Sequence, residues 1–542
     1  MDIIVCTTSS LLGRLVWARM GEFFAPGPSF PTLEPTGVFL FLFLIQYVIV
    51  KTYRLFIYPY FLSPLRSLPG PKDHHFLLGQ TLRQFTSGSP TEPYTSWVRK
   101  WPGADMIRYF SFLNSDAVLV VSPEAHRQIL QANCYAFTKP AWYYRLIFPI
   151  VGRGLVFMDG DEHKLHRKVL SGAFALTHLK KLIPLMEEKA TEVCMQFDTS
   201  IDYTQGIINL IPPLSRITLD VIATTVLGVP LATLDAATPF HQIYQTVFDP
   251  STWGLVLSAV NAVVPIRWLS VGENRRFNRA IAQLHALLRE IIRLRVADEA
   301  SEKGRSQAGD GGERKDILTR MVQESKAMGL EWGEEDMIGH VLTFMAAGHE
   351  TTSNTIAWAV HYLALYPDIQ DRLREEALEA AGGAQNMEYA AIENMKLLDN
   401  IYREVLRVRS AATFATREAA RDIEICGTVI PKGTSLMLMP CATHLNPLIW
   451  GPRAAEFDPD RWDSLQGEAA KPHAFAAFLM GPRGCPGQVY TRLEFKVMMI
   501  AFVRKFRFYA VEREGEVPLV NPSVVLRPKG GLRVFAQRIN QA

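Results

Sequence analysis

Residues Glu334 to Tyr366 read as one helix of 33 residues, about 50 Å long at 1.5 Å per residue. Its middle, Met337 to Ala347, is apolar nearly all round, so it runs through a core and not along a surface. A core that holds such a helix needs a large body around it. Leu284 to Val296 adds helical spacing of apolar residues with arginines between them. Strand signals are short: Ala117 to Val121, followed by the helix-like Pro123 to Ala132, and Leu436 to Met439. Glu299 to Asp316, charged and glycine-rich, reads as an exposed loop. The predicted fold class is mainly α with a small β portion. The 542 residues are 48% hydrophobic and 20% charged, which excludes a disordered chain and a polytopic transporter. A net charge of +3 gives no bulk attraction for nucleic acid, and no nucleic-acid partner is expected.

Gly37 to Val50 (GVFLFLFLIQYVIV) carries no charge and one polar residue, Gln46. Alone it falls short of the ~20 residues that span a bilayer. A buried helix or a cleaved signal is one reading, an anchor the other. No small-x-small cleavage site follows, and bulky residues continue to Leu62. Extension back through Pro35, with Lys51 and Arg54 snorkelling, completes a short span. Lys51, Arg54 and Arg66 follow the run and place the remainder on the cytosolic side. Prolines at 64, 69 and 71 predict a stiff, non-helical connector with few apolar contacts to either neighbour. The expected organisation is an N-terminal segment 1–36, an anchor with interfacial extension 37–62, a proline-rich hinge 63–72, and one large domain 73–542.

Six cysteines, none in a C-x-x-C pair, argue against a disulfide scaffold. Five read as small buried hydrophobes. Cys485 differs, because it lies in Phe478-Leu479-Met480-Gly481-Pro482-Arg483-Gly484-Cys485-Pro486-Gly487. Glycines at 481, 484 and 487 let the backbone turn tightly around one sulfur. The N–H groups of such a turn, the charge of Arg483 and the start of an apolar helix (Leu493 to Phe502) all favour a thiolate. A thiolate without a partner cysteine is a nucleophile or an axial metal ligand. The plain alternative is a glycine-rich turn that happens to hold a cysteine.

Three further constellations stand out. Gly348-His349-Glu350-Thr351-Thr352 interrupts the apolar helix. It reads as a kink with threonine hydroxyls bonded back to the preceding turn, or as an acid–alcohol pair. Glu404 and Arg407 stand i, i+3, by themselves a surface ion pair. His163 and Arg167 stand i, i+4 on one helix face, by themselves a solvated basic helix.

Taken in order, these segments resemble the cytochrome P450 superfamily, and its fungal microsomal members most, over about residues 65–540. The resemblance implies the P450 fold behind an N-terminal anchor helix. It implies haem b (iron protoporphyrin IX), with Cys485 as axial ligand of the iron, Phe478 packed beside it and Gly487 in the binding loop. A thiolate ligand in this family pushes electron density toward O–O cleavage. His163, Arg167, Arg417 and Arg483 are implied as partners of the haem propionates, with histidine at 163 where tryptophan is common. After Arg407 the chain lacks the prolines that the family often has. Glu350 and Thr351 are implied as proton relay and water organiser in an oxygen-binding groove. Glu404, Arg407 and Arg461, the last from Phe457 to Trp462, are implied as a buried structural network. The substrate pocket is expected under an aromatic loop, Phe137 to Met158, with Tyr143, Phe148, Phe344 and Phe414 in its wall.

The implied function is a membrane-anchored haem-thiolate monooxygenase. It would be a single-pass protein of the endoplasmic reticulum membrane with a cytosolic catalytic domain. It would take O2, and electrons from NADPH–cytochrome P450 reductase guided by Arg453, Arg492 and Lys496. Its substrate would be a bulky hydrophobic small molecule of secondary metabolism, of terpenoid or polyketide type. Two other readings are a haem-thiolate isomerase or dehydratase, against which the Glu350–Thr351 pair argues, and a non-catalytic haem-binding membrane protein.

Overall fold

The computed structural model describes residues 7, 10–11, 35–228, 239–248, 251–305, 316–330, 332–382, 387–513 and 515–539. The body is mainly helical with three small sheets. Its axis is the predicted helix, Glu334–Leu365, nearly all of whose residues from Ile338 onward are buried. Glu334, Glu335 and Asp336 in its first turn suit the positive end of the helix dipole. It stops at Tyr366, before Pro367. The helix Ile211–Leu227 packs along it. Gly348 permits that approach, because a Cβ there would lie 2.9 Å from Ile222 Cγ1. The helix Gln488–Lys505, just after Cys485, runs against the long helix and against Ile183–Tyr203.

The largest sheet has strands in the order Met106–Phe110, Asp116–Val120, Ser435–Leu438, Ala415–Ala419, Phe137–Thr138. Only Asp116–Val120 and Ser435–Leu438, both predicted, pair in parallel. This sheet brings Arg417 opposite Leu436 and close in space to the Phe137–Thr138 strand.

Two expectations change. Phe137 to Met158 is not a loop: Ala141–Val151 is a helix ended by Gly152 at φ +61°. Pro149 suggests a break, but it sits in the last turn and interrupts little of the helix. The segment expected to loop from Glu299 is helical as far as Arg305, within Gly272–Arg305. Residues 306–315 lie outside the described residues, as does Cys6.

Thr36–Leu62 forms a continuous helical stretch of 27 residues with mean hydropathy 1.7, none of its apolar window buried in the protein. It is long and apolar enough to cross a membrane. Its last turns, Tyr53–Leu62, are wider than α. The hinge that follows holds a short turn, Pro64–Ser67, and is rich in contacts. Leu65 is fully buried in the core around Val118 and Leu436. Ser63 Oγ donates to Asp116 (2.6 Å), Tyr60 OH pairs with His74 Nε2 (2.8 Å), and Asn114 Nδ2 donates to Leu55 O (3.3 Å). Arg108 reaches both Asp116 and the Pro59 carbonyl. The contacts of this stretch with the body therefore begin at Leu55. Deleting 1–52 is expected to leave a body as stable as the full chain. Deleting 1–62 removes three of these bonds and is expected to lower stability by about 2–3 kcal/mol. Urea midpoints of the two truncations in detergent test this, and equal midpoints would refute it.

Candidate functional site

Cys485 sits in the turn before its helix. Its N–H donates to Phe478 O (2.9 Å), and the sulfur accepts from the N–H groups of Gly487 and Gln488. Gly481, at φ +68°, closes the turn against Leu130 O, which a Cβ would approach to 2.3 Å. Cys485 is open on one side yet lies deep below the surface. That burial outweighs the two N–H groups and the nearby Arg167 charge, so the thiol is raised above its ordinary value. Here the sequence reading needs correction. Arg483 does not serve the sulfur. It pairs with Asp159 (2.5 Å) and donates to Met158 O (3.0 Å). A thiol this deep ionises when a metal cation binds it.

Beside the turn, cations crowd together. Arg417 is buried, and desolvation and the charge of Arg483 lower its pKa to about 10. Lys139, unread in the sequence, is held well below its ordinary value by burial and by Arg417 and Arg483. His163 is lowered to about 4 by burial and the same arginines, so it is neutral, and it pairs through Nδ1 with Tyr135 OH (3.1 Å). Among the described residues, the one carboxylate paired with this group is Asp159. Arg483 Nε is buried without a partner. Buried cations left this short of counter-charge call for an anion. A group with two carboxylates and a metal that takes one sulfur fits this donor set, and haem is such a group. Arg167, from the same helix as His163, donates through Nη1 to Gly484 O (2.7 Å) and so braces the cysteine turn.

On the long helix, Ala347 is exposed and Glu350 and Thr351 half-buried, in the middle of an otherwise buried element. Ala347 and Thr351 share one stripe at i, i+4, and Thr351 Oγ1 donates back to Ala347 O (2.5 Å). Glu350 pairs with Arg527 (3.4 Å), a partner brought by a distant loop with no signal in the sequence. His349 points away, to Ser215 Oγ (2.8 Å).

Tyr143 and Phe148 from the helix Ala141–Val151 gather around Phe157, at 5.9 and 5.6 Å between ring centroids, and Phe414 lies 6.5 Å from Tyr143. All are half-buried. Phe344 does not join them. It is buried in the main core against Phe174 and His340, because its place on the long helix faces inward.

Glu404 and Arg407 are fully buried, not a surface pair. Arg407 binds Glu404 through two bonds (2.8 and 2.7 Å) and donates to the carbonyls of His444, Ala454 and Glu456. Arg461 (3.0 Å), Trp462 Nε1 (3.0 Å) and Asp458 N (2.9 Å) complete the carboxylate of Glu404. Of the three basic residues expected to guide a partner, Lys496 is buried against Asp399, and Arg492 is paired with Glu393 and Asp399. Arg453 is exposed, and paired with Asp458 and Glu456.

One buried acid on the cysteine helix was not foreseen. Glu494 is fully buried beside the equally buried Tyr490 hydroxyl, and desolvation, only partly offset by Tyr490, raises its pKa from 4.5 to about 8. The folded state thus keeps a proton that the unfolded chain releases above 4.5. Stability falls as pH rises from 4.5 to about 8, by roughly 5 kcal/mol in all, and is flat above. Glu494→Gln is expected to remove this slope, so the variant gains on the wild type between pH 6 and 9. Urea midpoints at the two pH values measure it. Parallel curves would show that Glu494 ionises normally.

The protein-family model for cytochrome P450 matches residues 69–534. Among similar proteins are the cytochrome P450 monooxygenase ALT8 of Alternaria alternata, 29% identical over 88% of this chain and 90% of its own. The cytochrome P450 monooxygenase sphH of Aspergillus fumigatus is 29% identical over 89% of each. The cytochrome P450 monooxygenase FSL4 of Gibberella zeae is 30% identical over 90% of this chain and 91% of its own. The match takes in the cysteine turn, the cation cluster and the Glu404 network together, and by it the chain belongs to the cytochrome P450 family, as a monooxygenase.

Proposed function

We propose that the chain is a membrane-anchored monooxygenase that carries haem b on Cys485 and oxidises a bulky hydrophobic small molecule. The observation that carries this is the Cys485 sulfur, met by two backbone N–H groups beside a cation cluster short of anions. Arg417, Arg483 and Lys139 would bind the propionates, with Tyr135 and the neutral His163 next to them. Bound there, the haem supplies reductive activation of O2, one atom of which goes to substrate and one to water. The chain's own task is to hold the thiolate, orient an apolar substrate, limit water and move protons.

Phe478 and Gly487 would seat the ligand loop, and Arg167 would keep it closed through Gly484 O. The rings of Tyr143, Phe148 and Phe414 offer an apolar wall with few polar contacts, which suits selection by shape. Glu350, held by Arg527, and Thr351, on the open stripe of the long helix, would order water and pass protons. The Thr36–Leu62 helix would cross the endoplasmic reticulum membrane and leave the body in the cytosol, where NADPH–cytochrome P450 reductase supplies electrons. The similar proteins named above are fungal. A role in secondary metabolism, on a terpenoid or polyketide skeleton, follows that kinship.

Full-length protein with reductase and a panel of lipophilic compounds tests the reading. NADPH consumption that rises with particular compounds and yields oxygenated product supports it; unchanged consumption across the panel with no product would overturn it. Thr351→Ala is expected to keep haem and substrate binding, since alanine favours helix. Product per NADPH should fall several-fold while hydrogen peroxide rises. Unaltered coupling would assign the Thr351 hydroxyl to its Ala347 bond alone.

A further inference from the structure

The long helix is open along Ala347 and Thr351 and pinned on the opposite face. Two residues along an α-helix turn a side chain by about 200°, which sets Met345 and His349 across the axis from that stripe. The carbonyls of both take a hydroxyl from a neighbouring helix. Thr218 Oγ1, on Ile211–Leu227, donates to His349 O (3.1 Å). Tyr244 OH, on the helix Pro239–Phe248, donates to Met345 O (3.2 Å). A side chain that joins a helix's own ladder of bonds bends it locally, so these two donors set the turn that leads into Glu350.

Tyr244 reaches further than Thr218. Its ring meets His349 edge-on at 5.4 Å between centroids, and Phe248 stacks on it at 4.2 Å. Phe248 and Ile243, on the same helix, pack in one apolar cluster with Ile150. Ile150 belongs to Ala141–Val151, the helix that carries Tyr143 and Phe148. The phenol is buried, and desolvation and then the charge of Glu350 raise it well above its ordinary value, so it stays protonated and a donor. Packing alone does not call for this hydroxyl. Phenylalanine would fill the same space, and burying a phenol is costly unless its bond is made.

We infer that Tyr244 is a positioning residue for Glu350: its hydroxyl holds the Met345 peptide, sets the turn that presents the carboxyl group, and ties that turn to the helix of the aromatic wall. This rests on the reading that Glu350 passes protons. Tyr244 itself transfers none. Arg527 holds Glu350 from the far side, so the carboxyl group is fixed by its ion pair and by the backbone that carries it.

The test is Tyr244→Phe in full-length, haem-loaded protein, alone and combined with Glu350→Gln. Haem content and thermal midpoint should hold, because the ring and its stacking remain. Hydrogen–deuterium exchange of the amides of residues 345–353 should quicken about fivefold, the effect of losing one bond that fixes the turn. With the panel compound that wild type oxygenates fastest, KM should change little while product per NADPH falls several-fold and peroxide rises. In the Glu350→Gln background, Tyr244→Phe should cause no further loss of coupling, since a residue acting through Glu350 has nothing left to position. Unchanged exchange would show that the hydroxyl does not hold the turn. Faster exchange with wild-type coupling would make Tyr244 a brace of the helix alone. An equal loss of coupling with and without Glu350 would send its effect by another route. Each of these overturns the proposal and leaves the Glu350 relay standing. A Glu350→Gln enzyme that couples like wild type would instead sink the relay, and this role for Tyr244 with it.

Discussion

Arg407→Ala is expected to leave little haem-loaded protein, although Arg407 is not proposed to touch haem or substrate. The side chain is fully buried, with Glu404 across a two-bond pair. Three carbonyls, from His444, Ala454 and Glu456, depend on the same guanidinium. Removing one partner of a buried pair strands the other charge and costs about 3–5 kcal/mol. That is a large share of the roughly 5–15 kcal/mol that holds a folded domain together. Arg461 still reaches Glu404 and the Glu456 carbonyl, but the carbonyls of His444 and Ala454 lose their Arg407 donor. Arg407→Lys is expected to fail nearly as badly, because an ammonium is a point charge and cannot hold two carboxylate oxygens and three carbonyls at once. The carbonyls belong to the stretch leading into the cysteine turn, so haem retention should fall with stability. Thermal unfolding followed at the haem band measures both. Wild-type stability in Arg407→Ala would remove the network from the account.

Cys485→Ala is expected to reduce product formation below detection while leaving most of the fold in place. The substitution is small, and alanine keeps the Cys485 N–H bond to Phe478 O. The cation cluster is untouched, so some haem should stay through its propionates. What is lost is the one sulfur that receives the Gly487 and Gln488 N–H groups. Haem content after gel filtration should drop several-fold, and turnover with reductase should vanish. Product at wild-type rates from the variant would show that another residue supplies the ligand.

The sequence was informative where chemistry is local. The long helix is legible because an apolar run of many turns has few places to go. The turn around Cys485 is legible because three glycines and an adjacent helix start sit within a few residues of the sulfur. Convergence across the chain was not legible. Lys139 and Arg417 are brought close by the pairing of Phe137–Thr138 with Ala415–Ala419, and Arg483 from the cysteine turn meets Asp159 from before the His163 helix. Arg483 is near the sulfur in sequence and was credited with its charge, whereas the structure turns it to Asp159 and gives the sulfur Arg167. Phe344 was expected in the pocket wall, but Phe174 and His340, from other turns and another helix, close over its ring, a contact that helix period alone does not reveal. The hinge misled for a similar reason. Its prolines set backbone shape, and they carry no information on the burial of Leu65 between them.

The central claim is that Cys485, as a thiolate, holds the haem iron. It is tested most directly by the absorption spectrum of the reduced wild-type protein with carbon monoxide, which needs neither substrate nor reductase. The account predicts the strongly red-shifted Soret band of thiolate-bound haem. A band at the unshifted position of histidine-bound haem, in protein that is folded and fully loaded, would contradict it.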